Sequence, residues 1–437
     1  MNIYLKIEIK KREFLSRFLL GLEAAFRGHK VYIGDIDPLY KKKIMKSGLY
    51  HDKSLTPSKN RLEKLKYLKK NNFIITSQDE EAGHLNDKAE EYIDTRYSDK
   101  TLKLVDRVYS WGKFDYINLI SRYRQFKSKI LNSGNPRIDF WNSKFQKFFK
   151  KKKKNFILIS SNFTTVFGNK NFFDQYKILD DLNYFKRGMD EKVLFKRMSI
   201  ESQLIEEFIF TIKKLAKKNK KFFFVYRPHP LENKDHLKFI FKDFKNIQVS
   251  NAGTLSDMIT NAKVVIHNGC TGGLEAAARN IPTISYMPIN KTTGHKLANK
   301  ISTVCKTEIS LVNFIKKNLN KKKNSYLKNK NQLINRFQNY NSFFSYKFIV
   351  NDWEKFIYKL APNKNNNHLI KTYCNYLKIR KKISSNSNYN SKFGRFEYKE
   401  VSDIKKRLEI LYPEFKKIKF KILGDKIVYL EKTLVNK

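Results

Sequence analysis

Three groups of residues have the types and spacing to do chemistry. The first is SQDEEAG, Ser77 to Gly83, directly after the apolar run Phe73 to Thr76. That run reads as a short strand, and α/β sheets gather their chemistry beyond the carboxyl ends of strands. Asp79, Glu80 and Glu81 are adjacent carboxylates whose mutual repulsion raises at least one pKa, which suits general acid or base work. The alternative is a solvated acidic turn. The second group is Arg227, Pro228, His229 and Pro230, after the apolar run Phe222 to Tyr226. An imidazole between two prolines is held rigidly, beside a guanidinium shaped for forked phosphate contact; a buried structural histidine is the other reading. The third is KVVIHNGCTGGLEAAARN, Lys263 to Asn280. Val264 to Ile266 make a buried strand, and His267, Asn268 and Gly269 a turn. Thr271 is a candidate cap, Gly272 and Gly273 permit close backbone approach, and Leu274 to Arg279 favour helix. A strand, a glycine-rich turn and a helix start form an anion cradle of free N–H groups. Glu275 lies where it can reach sugar or ribose hydroxyls. The spacing is neither a dinucleotide fingerprint nor a phosphate loop, so a plain glycine-rich turn stands as the alternative.

These groups need strands and helices to hold them. Asn2 to Ile9, Glu13 to Phe26 and Lys30 to Ile33 read as strand, helix and strand, with Gly28 closing the helix. Asp35 and Asp37 read as loop residues. Lys59 to Lys70 is a helix, Val105 to Ser110 a strand, Ile117 to Phe126 a helix, and Ser133 to Asp139 a turn carrying Arg137 and Asp139. The lysine run Lys150 to Lys154 marks a boundary. A second unit begins with the strand at Phe156. It continues through the helix Ile200 to Ala216, capped by Ser199, and the strands Ile247 to Val249 and Ile281 to Tyr286, with a helix Leu255 to Asn261 capped by Thr254. The expected fold is α/β, with two Rossmann-like domains facing a cleft: 1–150 for the acceptor, 155–335 for the donor, and 336–437 as a Lys-rich helical extension and tail. NKNNNHL and SSNSNYNSK read as mobile connections, and Ile427 to Leu430 as a short β-rich end.

The 437 residues carry 90 Lys and Arg against 41 Asp and Glu, a net charge of +49. So strong an excess calls for a polyanionic partner. The bases are mostly lysines spread through every segment, and no nucleic-acid module is recognisable, so nucleic acid is not the expected partner; two readings of the charge stand, loose docking on an anionic membrane surface and a compositional drift that says nothing of partners. Cys270, Cys305 and Cys374 lack metal spacing or a paired framework, which fits a reducing compartment. Neither a metal nor an organic cofactor is expected. The start MNIYLKIEIKK has no signal-peptide core, and no run approaches about 20 apolar residues, so a cytoplasmic enzyme is the expectation, with peripheral attachment at the membrane's inner face as an option within it.

Six motifs in order carry a resemblance: SGLYHDKSL (Ser47 to Leu55), SQDEEAG, VYSWG (Val108 to Gly112), SGNPRID (Ser133 to Asp139), the YRPHP segment ending at Glu232, and HNGCTGGLEAA (His267 to Ala277). Together they resemble the bacterial surface carbohydrate biosynthesis proteins, a glycosyltransferase-like family of the two-domain GT-B type. The His-Pro pair is also similar to that of bacterial sialyltransferases and Kdo transferases. The resemblance implies transfer of a sugar from a nucleotide-sugar, CMP-linked donors included, to a cell-surface polysaccharide or lipid-linked glycan in capsule or lipopolysaccharide synthesis. By that resemblance His229 holds donor phosphate, helped by Thr271 and its neighbours' N–H groups, and Asp79, Glu80 or Glu81 is the base. Arg227, Asn268, Gly269, Gly272, Gly273 and Glu275 complete the expected donor set. Ala82 stands between Glu81 and Gly83, which departs from the acid-acid-Gly element and leaves the catalytic carboxylate open. Two other readings stand beside it: a polyol-phosphate or teichoic-acid-type transferase, and a non-catalytic polyanion-binding protein.

Overall fold

The computed structural model describes residues 1–81, 89, 92–149, 156–181, 185, 190–289, 291, 293, 296–319, 330–340, 343–357, 367–383 and 394–433. Gly83, the lysine run, SSNSNYNSK and most of NKNNNHL lie outside them. The chain divides into two compact units, Met1–Phe148 with Leu333–Lys437, and Phe149–Gln332.

The first unit is built on an eight-stranded sheet. Its parallel core is β1 (Asn2–Lys6), β2 (Lys30–Gly34), β3 (Leu49–Asp52), β4 (Ile74–Ser77), β5 (Arg107–Ser110) and β6 (Ile130–Asn132), in spatial order β2-β1-β3-β4-β5-β6. The crossovers run through α1 (Lys10–Phe26), α2 (Asp37–Lys41), α3 (Lys59–Lys70), α4 (Ile93–Arg96), α5 (Asp99–Leu104) and α6 (Lys113–Arg122). Parallel strands require such connections. SGNPRID is more than a turn: Asn135 accepts from the Arg137 N–H and starts α7 (Pro136–Asp139), with proline at the first helical position. SGLYHDKSL holds β3, a strand short enough to escape pattern reading.

The second unit has a six-stranded, wholly parallel sheet, ordered β12-β11-β10-β7-β8-β9. Its strands are β7 (Phe156–Ser160), β8 (Phe224–Arg227), β9 (Ile247–Val249), β10 (Ala262–His267), β11 (Thr283–Tyr286) and β12 (Thr303–Cys305). Its helices are α8 (Phe172–Asp181), α9 (Glu191–Lys218), α10 (Lys234–Ile240), α11 (Leu255–Asn261), α12 (Thr271–Ala278), α13 (Lys296–Ile301) and α14 (Glu308–Leu319). Leu204, Phe208, Ile212 and Leu215 of α9 pack on Ile157, Phe224 and Ile266 of the sheet. This helix begins earlier than its apolar stripe suggests, because Asp190 caps it by accepting from the Lys192 N–H; Ser199 lies inside it. Thr254 does cap α11.

Residues 336–437 do not stand apart. α15 (Lys330–Arg336) leads to α16 (Ser345–Ile357), α17 (Asn367–Ile383) and α18 (Tyr398–Leu411), and then β13 (Ile418–Leu423) and β14 (Ile427–Lys432) form a hairpin. β14 pairs antiparallel with β2, placing Tyr429 opposite Tyr32 and Leu430 opposite Val31. Across three neighbouring strands Tyr4 stacks on Tyr32 at 5.1 Å between ring centroids, and Tyr32 meets Tyr429 at 5.0 Å with the planes tilted by 45°, cross-strand contacts of the kind that fix register. A Cβ on Gly21 of α1 would meet the Ile33 side chain at 2.6 Å, so glycine there lets the helix sit close on the sheet. Asp139, at the end of α7, accepts from the Ser345 and Tyr346 N–H groups at 2.9 Å each and so fastens the start of α16. Burial pushes its carboxyl up to about 7.

Candidate active site

In an open parallel sheet the ligand crevice lies where strand order reverses, beyond the carboxyl ends. In the second unit that point falls between β7 and β10. The turn after β10 is organised by His267, which is fully buried. The Ser302 hydroxyl donates to the Ala298 carbonyl at 2.7 Å, so the imidazole donates its Nε2–H to Ser302 Oγ (2.8 Å), while Nδ1 accepts from the Gly269 N–H (2.9 Å). Burial holds it neutral, with a pKa lowered to about 3. A Cβ on Gly273 would lie 2.2 Å from this ring, and one on Gly272 would lie 2.7 Å from Ser160 Oγ. The glycines are therefore required by packing inside the turn. Gly269 itself has φ +90°, a backbone conformation open to glycine.

Thr271 is the first helical residue of α12 and not its cap; Cys270 occupies that position, and no side-chain oxygen caps the helix. The Cys270 thiol is buried against Ser160, and burial raises its pKa. The Gly272 and Gly273 N–H groups of this first turn face the Cys270 sulfur, at the end of the helix where the dipole favours negative charge. Asn268 is buried, with its Nδ2 3.5 Å from the Asn162 carbonyl and its carboxamide oxygen without a hydrogen-bond partner among the described residues. Glu275, expected to be free for sugar hydroxyls, is nine-tenths buried and ion-paired with Arg279 Nη1 at 3.0 Å. Arg279 in turn lies over the Phe149 ring.

Beyond β8, Arg227 is half-buried and donates to the carbonyls of Ala252 (3.4 Å) and Gly253 (3.2 Å); burial lowers its pKa. His229 is also half-buried, its Nδ1 accepting from the Leu231 N–H at 3.2 Å. What fixes this loop is Glu232. Its carboxylate accepts from the His229 N–H (2.8 Å), from Ser161 Oγ (2.6 Å) and from the Phe163 N–H, tying the loop after β8 to the loop after β7. Burial pushes Glu232 up to about 6. Glu201 of α9 holds the same β7 loop farther along, accepting from the Thr165 N–H and hydroxyl at 2.8 and 3.0 Å. Sequence reasoning gave neither carboxylate a role; the three-residue step from His229 to Glu232 was the available signal.

In the first unit SQDEE does follow a strand end, and the quoted motifs converge on it. The Trp111 indole donates to the Asp79 carbonyl (2.6 Å), Gln78 Nε2 to Gly134 O (2.6 Å), the Glu80 N–H to Lys53 O (3.0 Å), and Arg137 to Glu80 O (3.2 Å). The carboxylates differ sharply. Asp79 is buried and held by Arg96 Nε and Nη2 at 2.8 and 2.9 Å. Glu80 is buried 2.9 Å from Arg17 and 3.8 Å from Arg137. Its pKa is raised chiefly by burial, and the acidic neighbour that adds to this is Glu13. The expectation that mutual repulsion among the three would do this is corrected: Arg12, Arg17, Arg96 and Arg137 surround the loop and offset it. Glu81 is the partly open one, its side chain 38% exposed, with Arg12 at 3.2 Å and Arg96 at 3.3 Å.

Asp35 and Asp37 are more than loop residues. At the first unit's own reversal of strand order, between β1 and β3, Lys6 bridges Asp35 (2.9 Å) and Asp37 (2.8 Å). Lys64 reaches Asp52 at 3.0 Å, and Arg61 also pairs with Asp52, whose carboxyl is held well below its ordinary range.

No protein-family model and no curated protein matches the sequence. Solved structures share the chain course: UDP-GlcNAc 2-epimerase of Methanocaldococcus jannaschii (12% identity, 81% of this chain and 100% of that one, TM-score 0.46), UDP-GlcNAc 2-epimerase of Neisseria meningitidis (13%, 81% and 100%, 0.47), and the wall teichoic acid polymerase TagF (11%, 82% and 89%, 0.46). At these identities and scores the likeness carries no inference about substrate or reaction. The two sheets, one wholly parallel and one with a parallel six-stranded core, establish with their crossover helices the class: an α/β protein with two Rossmann-like units.

Proposed function

We propose that the protein is a glycosyltransferase that moves a sugar from a nucleotide-sugar to a surface polysaccharide or lipid-linked glycan. The observation that carries this reading is the set of groups at the β7/β10 reversal. The buried Asn268 oxygen and the first turn of α12 lie there, and Asn162, against Asn268, sits between the two residues that Glu232 binds together with the His229 loop. Such a place suits a phosphate with a hydrogen-bond donor beside it, as a nucleotide-sugar has. The second unit then binds donor through Arg227, His229 and the α12 N–H groups, which neutralise charge on the departing phosphate. Glu81 takes the proton of the acceptor hydroxyl. Arg12 and Arg96 fix its position, and its exposure leaves it reachable; Asp79 and Glu80 act as its scaffold.

Calorimetric titration with CMP-, UDP-, GDP- and dTDP-sugars and with CDP-glycerol tests the proposal. Binding of one nucleotide-sugar class, weakened in His229→Ala, is the expected result. Binding of CDP-glycerol alone shifts the reading to polyol-phosphate transfer, and binding of none overturns both.

A further inference from the structure

An open cleft of about 1020 Å³ lies in the first unit, between the loop that leads into β3, the last turn of α3, and α17. In a parallel sheet with α3 running back against the strands, these pieces belong to the amino-terminal edge of β3 and β4. The SQDEE loop lies at the opposite, carboxyl end, so this cleft is not part of the site described above.

Its lining has a definite chemistry. Tyr67, Tyr373 and Tyr376 supply aromatic faces, and Lys43, Lys46 and Lys70 supply charge. Tyr373 and Tyr376 lie 6.1 Å apart with their planes 28° from parallel, and Tyr376 is 51% exposed. All three lysines are exposed, and no ion pair to any of them occurs among the described residues. By contrast their neighbour Lys69 is paired with Asp106 at 2.6 Å. Ser47, Asn71 and Thr372 add short polar groups, and the described lining contains no Asp or Glu. Lys43 has φ 54°, a conformation uncommon for a lysine.

We infer that this cleft is a second glycan site, which holds an anionic sugar polymer away from the candidate catalytic loop. Tyrosine rings offer flat apolar faces with a polar tip, the match for a sugar ring that is apolar on one side and hydroxylated at its edge. Unpaired lysines answer carboxylate or phosphate substituents as point charges, with no guanidinium fork of the kind that reads phosphates in pairs. The volume stands at the top of the roughly 300–1,000 Å³ range of small-molecule clefts, room for more than one sugar unit. A nucleic acid would need an electrostatic track with stacking slots, and a bilayer a flat or convex apolar face; a concave tyrosine-lined cleft suits neither.

The inference goes beyond the transferase reading and is tested by binding alone, so failure of one is distinguishable from failure of the other. The full chain is titrated, by anisotropy, with labelled oligogalacturonate and with a phosphomannan oligomer, with neutral dextran, a thymidine oligonucleotide and phosphatidylglycerol vesicles as comparisons. At least one anionic glycan should bind ten-fold or more tighter than dextran. Lys43→Ala/Lys46→Ala/Lys70→Ala should lose that margin and flatten the salt dependence. Tyr373→Ala/Tyr376→Ala should weaken binding about ten-fold with the salt dependence kept, while nucleotide-sugar affinity stays unchanged in both variants. The inference is overturned if neither anionic glycan binds, if both variants bind as the native protein does, or if the oligonucleotide or vesicles bind more tightly than either glycan.

Discussion

Removal of the Glu232 carboxylate is the perturbation whose size the geometry defines best. The group is 2% exposed and accepts three hydrogen bonds, two of them from backbone N–H groups of different loops. Glu232→Ala leaves the His229 and Phe163 N–H groups buried without an acceptor, at about 1–3 kcal/mol each, besides losing the serine bond. A net loss of about 3–5 kcal/mol is expected. Glu232→Gln keeps the shape but turns an NH₂ toward one set of donors, so it should lose about half as much. The pH dependence is an independent check. Burial raises the carboxyl from 4.5 to about 6, so the folded state holds the proton more tightly than the unfolded chain. The stability that this group contributes is complete below about pH 4.5 and declines as pH rises through 6, by about 2 kcal/mol in all. Urea unfolding of native protein and both variants at pH 4.5 and 7.5 measures each quantity. The difference between native and alanine proteins should be larger at the lower pH. A difference under about 1 kcal/mol, or one independent of pH, refutes the view that this buried carboxylate clamps the two loops.

Other substitutions separate chemistry from support. Glu81→Gln should lower turnover by about 10²–10⁴ with donor affinity kept, since general base work is of that size; near-native turnover removes Glu81 from the mechanism. Glu80→Gln should instead cost stability, about 3–5 kcal/mol, by leaving Arg17 with an unmatched buried charge, and Asp79→Asn should cost less, because Arg96 keeps Glu81 as a partner; thermal denaturation reads both directly. Arg227→Ala and His229→Ala should weaken donor binding by about 10–100-fold in calorimetry, as loss of charge-assisted phosphate contacts does, with melting temperatures little changed. Gly273→Ala should destabilise by about 1–3 kcal/mol or more, because the added methyl has to displace the His267 ring; a neutral effect in thermal denaturation contradicts the packing described.

Much of the parallel architecture was legible in the sequence because it is written in local pattern. Lys59–Lys70 carries its leucines at helical spacing, and Phe156, Val225 and Val264 sit in apolar runs that only a buried strand or helix tolerates. Caps were less legible. Ser199 and Thr271 have the right chemistry, but Asp190 and Cys270 occupy the positions, since a helix starts where the chain geometry allows and several polar residues compete. Least legible were the partners of buried charges. Nothing near Glu80 in sequence indicates that Arg17 of α1 faces it, and Asp52 depends on Arg61 and Lys64 meeting it in space. Glu232 drew no role from the sequence for the same reason: its partner, the Ser161–Phe163 loop, is far away along the chain. The pairing of β14 with β2 is the extreme case, for alternation identifies a strand and never its neighbour.

That pairing sets an order of events during synthesis. All of Phe149–Gln332 is made between β2 and the strand that will cover it, so the second unit has its whole sequence available to collapse while the first still shows an open edge at Lys30–Gly34. Contacts between such distant stretches form late, because a long loop must close before they return any energy, although the closure term itself grows only by about 0.6 kcal/mol per doubling of length. During that interval the β2 edge, with its Val-Tyr-Ile face, is a template for strands of other nascent chains. Truncation before Ile427 should therefore yield a protein that aggregates through its first unit while its second remains folded.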